Sequence, residues 1–344
     1  MLNTFSKIRS SFCRYFVVAV LTVLLALSAG FSSADAAVKG GQKRTYPSPE
    51  AAVKALVDAV KSQDRKQMTL VLGPEAHAIL LSGDEIADRE ALENFAQRYE
   101  EKNRIEREGE FKAVLLVGQK DWPLPIPIVK KGQGWLFDTK KGKEEVLNRR
   151  IGRNELAVIK VCEAYVDAQQ EYADMQSEEG GLARYARKFW STPGKRDGLY
   201  WETKEGEKPS PFGPFAAKAK TEGYVKKSSS DHPQPYYGYF YRILQGQGSS
   251  AKGGAFDYVV NGDMIGGFAL VAYPARYGNS GIMTFIVNQD GVVYQKNLGK
   301  DTAKRARAMN LFNPDKTWKK VETDGEGSPA GTDSGCPGEQ GGKE

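Results

Sequence analysis

The chain contains 344 residues, of which 40% are hydrophobic and 27% charged, which is long enough for two ordinary domains. Its basic and acidic residues are interspersed and sum to a formal net charge of +6, without a basic stripe interleaved with aromatics. These features argue against a disordered chain, a membrane-embedded chain and a nucleic-acid-binding surface. The only histidines are His77 and His232, which excludes a histidine-rich metal site.

The first 36 residues have the layout of a secretory signal peptide. Three basic residues precede an apolar run at 15–29, and small residues follow at 34–37. The run is shorter than the roughly 20 residues that a membrane-spanning helix needs, so cleavage after Ala36 is favoured over a retained anchor. Removal takes away three basic residues and one acid, which leaves a mature chain of charge +4. We expect this mature chain to lack a membrane span and to be exported, to the periplasm or out of the cell.

The first predicted element after the signal is a helix that begins at residues 48–50. Serine caps a helix N-terminus, proline is tolerated in the first turn, and an acid there interacts favourably with the helix dipole. A second helix is predicted behind a cap at Asp88. Apolar positions spaced by three and four give each helix a buried stripe. These positions are Val53, Leu56, Val57 and Val60 in the first helix, and Leu92, Phe95, Ala96 and Tyr99 in the second.

Three strands complete this first unit, at 111–117, 123–129 and 135–137. Prolines at alternate positions of the second strand remove backbone donors from one side, which predicts an edge strand. Residues 37–149 are therefore expected to form an α+β domain of helices and a curved antiparallel sheet. This order of elements resembles the cone-shaped fold of nuclear-transport-factor-2-like proteins.

A second α+β domain is expected from 150 to 322. Asn154 can cap a helix whose apolar stripe passes through Tyr165, and β-rich runs separated by turn residues then predict an antiparallel meander. The helix should pack across one face of the meander, with Tyr165 buried at the centre. Residues 323–344 are rich in Gly, Ser, Pro and acids and are expected to form a disordered tail. The predicted strands lie at 239–244, 256–260, 268–273, 282–287 and 292–295.

The mature chain retains two cysteines, Cys162 on this helix and Cys336 in the tail. An oxidising compartment permits a bridge between them, but their spacing does not require one. The bridged and the free states both stay open at this point.

A cluster of aromatic and charged residues at 188–201 leads into a segment rich in proline and glycine, 191–235, which predicts an irregular and functional stretch. Aromatic rings beside alternating charges favour a surface for a sugar, a peptide or an aromatic ligand. The alternative is a long loop pinned to the sheet by its aromatics. The predicted binding residues are Trp190, Lys195, Arg196, Asp197, Tyr200, Trp201, Asp231 and His232.

No nucleophile elbow, phosphate-binding loop, dinucleotide fingerprint or paired-cysteine metal motif occurs, so no cofactor, metal or catalytic residue is predicted. Asn261, Asp263 and Asp290 carry oxygens that can ligate calcium, but Asn and Asp in hairpins more often form turns. His232 beside Asp231 has the chemistry of a general base, although an exposed loop histidine is the favoured interpretation.

Three stretches closely resemble the exported bacterial proteins grouped as domain of unknown function 2950. They are STPGKRDGLYW at 191–201, YYGY at 236–239 and FIVNQDGVVYQKNLG at 285–299. The similarity extends from about residue 46 to residue 321, and it implies export without an established activity, so no catalytic residue is carried over. The second half also looks like the globular part of type IV pilin-like subunits. It departs from that pattern because its helix is internal and polar, whereas a pilin helix is N-terminal and apolar.

The residues and the resemblance favour a non-enzymatic binding or interaction module of the cell envelope, with an unidentified partner or ligand. The alternative is an envelope hydrolase that uses carboxylates and His or Tyr side chains of the 191–235 segment. Converging titratable groups in a deep cleft would favour the hydrolase, whereas an open aromatic surface would favour binding.

Overall fold

A computed structural model describes residues 44–178, 180–224 and 234–322. The predicted cleavage after Ala36, the predicted tail, Cys336, Asp231 and His232 all lie outside these residues. The described residues belong to one compact unit. Its helices and antiparallel sheets confirm the α+β class. Within the described part of the chain, no helix combines the length and the apolar character needed to cross a membrane.

Four helices open the fold: α1 (Pro49–Lys61), α2 (Arg65–Leu72), α3 (Ala76–Leu80) and α4 (Glu85–Glu101). The predicted start of α1 is confirmed, because the hydroxyl of Ser48 accepts a hydrogen bond from the Ala51 N–H at 3.2 Å. The predicted cap of α4 at Asp88 is wrong. Asp84 caps this helix by accepting from the Ala87 N–H at 3.1 Å, while Asp88 lies in the first turn and turns its carboxylate back to the Ser82 N–H.

The first sheet contains β1 (Asn103–Glu108), β2 (Lys112–Val117), β3 (Trp122–Pro123), β4 (Ile128–Lys131) and β5 (Gly134–Phe137). Its order is β1-β2-β4-β5, with β3 also beside β2. The prediction of one strand at 123–129 is wrong, because the prolines interrupt the ladder and separate β3 from β4. β4 is an inner strand, so the edge prediction does not hold for it. β1 was not predicted because five of its six residues are polar or charged, a composition that suits an exposed edge.

The next helix, α5 (Thr139–Glu178), is 40 residues long and so extends about 60 Å. It begins 15 residues before the predicted cap at Asn154, and the predicted domain boundary at 149/150 lies inside it. The prediction that the helix begins at Asn154 is therefore wrong: Asn154 is buried inside the helix and donates from Nδ2 to the Ser280 carbonyl at 2.9 Å. Val146 packs on the hydrophobic core formed by α1, α2 and the first sheet, whereas Val158 belongs to the hydrophobic core of the second half of the chain. The two cores therefore share this helix.

The second half contains two further helices, α6 (Gly213–Thr221) and α7 (Thr302–Ala308). α6 lies inside the segment predicted to be irregular, because Gly213-Pro214 places proline in a first helical turn, where its missing N–H is tolerated. The strands are β6 (Tyr239–Leu244), β7 (Gly246–Gln247), β8 (Phe256–Asp257), β9 (Val259–Val260), β10 (Asp263–Met264), β11 (Ala269–Pro274), β12 (Met283–Asn288), β13 (Tyr294–Asn297), β14 (Leu311–Phe312) and β15 (Lys319–Lys320).

The predicted meander is confirmed for four of its five strands, which lie in an antiparallel sheet of order β15-β13-β12-β11-β6. The prediction is wrong for 256–260, which lies outside this sheet. It is divided into β8, which pairs with β7, and β9, which pairs with β10. The packing of α5 on this sheet is also confirmed. Tyr165 is fully buried, its ring lies 5.7 Å from that of Phe268, and its hydroxyl donates to the Ala269 carbonyl at 3.3 Å.

Cys162 lies beside Tyr165 in this core, is fully buried, and has no disulfide partner among the described residues. Burial raises the pKa of this thiol, so it behaves as a small apolar side chain rather than a reactive one. The predicted bridge to Cys336 stays a prediction.

Candidate functional site

A cleft of about 650 Å³ opens where the C-terminal end of α5, the stretch 184–188, the end of β6 and the strand β10 meet. Its wall carries more positive than negative charge. Four basic and two acidic side chains line it: Arg184, Arg187, Lys188, Arg196, Asp197 and Asp263.

The stretch 184–188 forms one wall because a buried glutamine of α5 holds its backbone. Gln169 accepts from the Ala186 N–H and donates to the Ala186 carbonyl, both at 2.8 Å. The Tyr185 N–H donates to the Met264 carbonyl at 2.8 Å, so the stretch runs antiparallel to β10. Ala186 is thereby fixed inward, whereas Arg184 and Arg187 on either side of it are exposed.

A tight hairpin forms the adjoining wall. β9 and β10 are joined by Asn261 and Gly262, whose φ angles of 51° and 91° are those of a type I′ turn. The turn predicted at 261–263 is therefore confirmed. Arg184 pairs with Asp263 at 3.2 Å, and Arg187 donates to the Gly262 carbonyl at 2.8 Å. Asp263 is thus engaged in an ion pair with Arg184.

The loop at 191–198 is closed on itself by Asp197. This carboxylate accepts from the Lys188 ammonium at 2.8 Å, the Thr192 N–H at 2.8 Å and the Thr192 hydroxyl at 2.9 Å. These bonds, led by the one from Lys188, hold the pKa of Asp197 well below its ordinary value. Pro193 and Gly194 form a type II turn, with Gly194 at φ 77° and the Lys195 N–H bonded to the Thr192 carbonyl.

The three aromatics that were predicted to form one surface lie in different environments. Trp190 is 38% exposed and meets Tyr200 edge to face, with the ring centres 4.8 Å apart. Trp201 is only 9% exposed and packs against Tyr172 of α5. The prediction of a surface position is therefore wrong for Trp201, which belongs to the core. Trp190 and the half-buried Tyr200 remain accessible.

The two predicted basic residues also lie in different environments. Arg196 lines the cleft, where its guanidinium lies over the Trp201 ring at 5.5 Å and 3.9 Å from the Glu207 carboxylate. Lys195 is exposed at the tip of the type II turn and does not line the cleft. Of the eight predicted residues, the structure thus brings Arg196 and Asp197 together in the cleft wall. Asp231 and His232 lie outside the described residues.

Arg187 differs from the other three cations of the cleft. Arg184, Lys188 and Arg196 each have a carboxylate within 4 Å. In the described part of the chain, the guanidinium of Arg187 has a bond to the Gly262 carbonyl and no carboxylate partner. An arginine carries five N–H donors in a planar fork, so Arg187 can still offer a bidentate contact to an oxyanion.

A second polar cluster lies after α6. Glu222 accepts from the Tyr237 hydroxyl at 2.9 Å and from the Tyr236 hydroxyl at 3.2 Å. Burial raises the pKa of both tyrosines, so both hydroxyls stay protonated and act as donors. This cluster ties the end of α6 to the turn before β6. The other histidine, His77, is exposed on α3 and far from both clusters in sequence.

Acidic, cysteine and histidine side chains do not converge into groups of three that could hold a metal ion within residues 44–178, 180–224 and 234–322.

The family of proteins of unknown function DUF2950 matches residues 43–321. The chain belongs to this family. No curated protein and no solved structure matches this chain. Two of the stretches that carried the resemblance in this DUF2950 protein have clear structural roles. Residues 191–201 form the loop closed by Asp197 beside the cleft, and residues 236–239 form the turn that leads into β6.

Sequence reasoning missed the stretch 184–188 and the hairpin wall. Arg184 and Arg187 lie just before the predicted cluster at 188–201, and this density of basic residues was the one available signal. The contacts of Arg184 with Asp263 and of Arg187 with Gly262 each span more than 70 residues.

Proposed function

We propose that this DUF2950 protein is an exported, non-enzymatic binding protein of the bacterial cell envelope, and that its cleft binds an anionic ligand. The observation that carries the proposal is which charged side chains of the cleft are paired with one another and which are not. Both lining carboxylates are already in ion pairs, whereas Arg187 keeps most of its donors available. The surplus of positive charge therefore has no partner within the wall itself.

The dimensions and the chemistry of the cleft agree with this proposal. A volume of about 650 Å³ lies within the range of roughly 300–1,000 Å³ that small-molecule sites occupy. A polar, basic wall matches carboxylate or phosphate groups, which guanidinium binds in bidentate fashion. Ile243 and Met264 add an apolar strip next to the charges, so the anion need not be small and fully hydrated.

The hydrolase alternative has a weaker basis. Tyr236 and Tyr237 converge on Glu222, but their raised pKa values make them hydrogen-bond donors rather than bases. Asp197 is held ionised by Lys188 and by Thr192, so it also has a structural use. Assays with chromogenic esters, phosphate esters and glycosides test this alternative. Turnover that disappears in a Glu222→Gln variant would establish the hydrolase instead.

The binding proposal is tested by titration calorimetry of the mature chain, residues 37–344, with inorganic phosphate and with citrate. We expect binding that weakens with added salt and that falls at least tenfold in an Arg187→Ala variant, equivalent to about 1.4 kcal/mol. Arg65→Ala is the matched control, because Arg65 is equally exposed but lies on α2, away from the cleft. Equal affinities in the parent and Arg187→Ala, or no binding of either anion, would overturn the proposal.

Export is tested separately, by fractionating cells that express the full chain and measuring the intact mass. A mass that begins at Ala37 in the envelope or medium fraction supports export with cleavage. A mass that still includes residues 1–36 would mean that the apolar run is retained as an anchor.

A further inference from the structure

Three exposed apolar side chains lie close in the fold to charged residues of the cleft wall. Leu182 is 63% exposed and precedes Arg184 by two residues, Val260 is 43% exposed and lies opposite Asp263 in the hairpin, and Ile265 is 37% exposed and follows Asp263 by two residues. Scattered exposed apolar residues are ordinary on protein surfaces, but apolar groups gathered beside a charged site point to a ligand with both characters. We call Leu182, Val260 and Ile265 the apolar rim.

The backbone explains why this rim faces outward. Side chains alternate between the two sides of a strand, so Met264, which is buried, leaves Asp263 and Ile265 pointing to the opposite side. Val260 lies opposite Asp263 in the β9–β10 register and shares its side. Asp263 in turn pairs with Arg184, two residues after Leu182. The apolar rim therefore lies next to the Asp263–Arg184 ion pair at the edge of the cleft.

We propose that the cleft and the apolar rim together bind the surface of an anionic lipid membrane. A lipid headgroup phosphate occupies the cleft beside Arg187, and the rim enters the boundary between headgroups and acyl chains. The inference rests on the proposed function, because it assigns a lipid source to the anion of the same cleft. It adds a requirement that a free anion does not have, namely apolar contact at Leu182, Val260 and Ile265.

The physical basis is the combination of two weak attractions. Basic groups near an anionic leaflet are attracted over about a Debye length, and exposed apolar side chains gain by leaving water at the interface. Neither term alone gives firm attachment, in the same way that single membrane anchors are reversible. A surface with both terms binds anionic vesicles selectively and remains a peripheral protein.

The test is co-sedimentation of the mature chain with vesicles of phosphatidylcholine alone or mixed with phosphatidylglycerol. We expect binding to the mixed vesicles at least tenfold above binding to phosphatidylcholine, and a loss of that preference at high salt. A Val260→Ser/Ile265→Ser double variant should lose at least tenfold in vesicle binding while keeping its affinity for inorganic phosphate. Leu182→Ser, outside the hairpin, should show the same loss in smaller degree and guards against local misfolding.

Phe111→Ser is the matched control, because Phe111 is 64% exposed but lies between β1 and β2 on the other sheet. Its vesicle binding should equal that of the parent. Equal binding to both vesicle types, or undiminished binding of both rim variants, would overturn the inference. If inorganic phosphate binds and vesicles do not, the lipid inference fails while the proposed anion-binding function stands. If neither binds, both fail.

Discussion

The carboxylate of Asp84 accepts a hydrogen bond from the hydroxyl of Tyr224 at 2.8 Å, although the two residues are 140 positions apart in the chain. The same carboxylate accepts from the Gly238 N–H at 2.9 Å and caps α4 through the Ala87 N–H. Asp84 is 1% exposed. One buried side chain therefore connects the start of α4, the segment that follows α6 and the turn before β6.

The Asp84→Ala variant is expected to lose about 3 kcal/mol or more of unfolding free energy, because three donors, of which the Gly238 N–H is buried, lose a buried acceptor. Asp64→Ala is the comparison, since Asp64 caps α2 at a more exposed site and its loss should be about 1 kcal/mol. Urea unfolding measures both. Losses of equal size would mean that the long-range bonds of Asp84 add nothing to its role as a cap.

Alanine substitutions of the two tryptophans should differ clearly in their effect on the free energy of unfolding. Trp201→Ala is expected to destabilise by about 3–5 kcal/mol, because it removes a buried ring from the core between Tyr172 and Arg196. Trp190→Ala should cost less, about 1 kcal/mol, which is the value of an edge-to-face contact such as the one with Tyr200, because 38% of Trp190 is exposed. Chemical denaturation decides between them. A Trp190→Ala loss as large as that of Trp201→Ala would place both rings in the core.

The bonds to Asp197 make the stability of the 191–198 loop depend on pH. Its pKa is lower in the folded state than the ordinary value near 4, so its contribution is present above that value and is lost as the pH falls through the folded pKa. Acidification from about pH 5 to about pH 2 should therefore lower the protection factor of the Thr192 N–H, which is the intrinsic exchange rate at that pH divided by the observed rate. Asp197→Asn should show little protection at every pH in this window, and Asp174→Asn, an exposed change on α5, should behave as the parent. A parent whose protection factor is unaffected by acid contradicts this interpretation of the loop.

Substitution by alanine is expected to destabilise the protein more at Gly238 than at Gly278, a glycine of similar backbone conformation. Both Gly238 and Gly278 have left-handed φ angles, 72° and 74°, so alanine at either costs about 1–2 kcal/mol in backbone strain. At Gly238 an added Cβ would also lie 2.6 Å from Asn154 Nδ2 and 2.9 Å from the Ser280 Cβ, whereas nothing lies within 4 Å at Gly278. Gly238→Ala should therefore be less stable than Gly278→Ala by roughly 2 kcal/mol in thermal or urea unfolding. Equal stabilities would show that the turn can move away from α5.

The hairpin and helix signals that act over a few residues were read correctly from the sequence. Ser48 and Pro49 start α1, Asn261-Gly262 makes a type I′ turn, and the aromatic and β-branched content of 239–244 predicts β6 to the residue. Each of these features is decided by local backbone preference, so neighbouring residues carry the whole signal.

The tertiary structure decided what depends on distant partners. The first 15 residues of α5 have little apolar periodicity and are helical through packing, while Asn154, a plausible cap, is held inside the helix by Ser280. Trp190 and Trp201 look alike in the sequence, yet only Trp201 faces α5. The cleft exists because Gln169 holds Ala186 and because the hairpin meets Arg184 and Arg187. Such contacts form between residues far apart in the chain, and composition and spacing carry no record of which distant groups will meet.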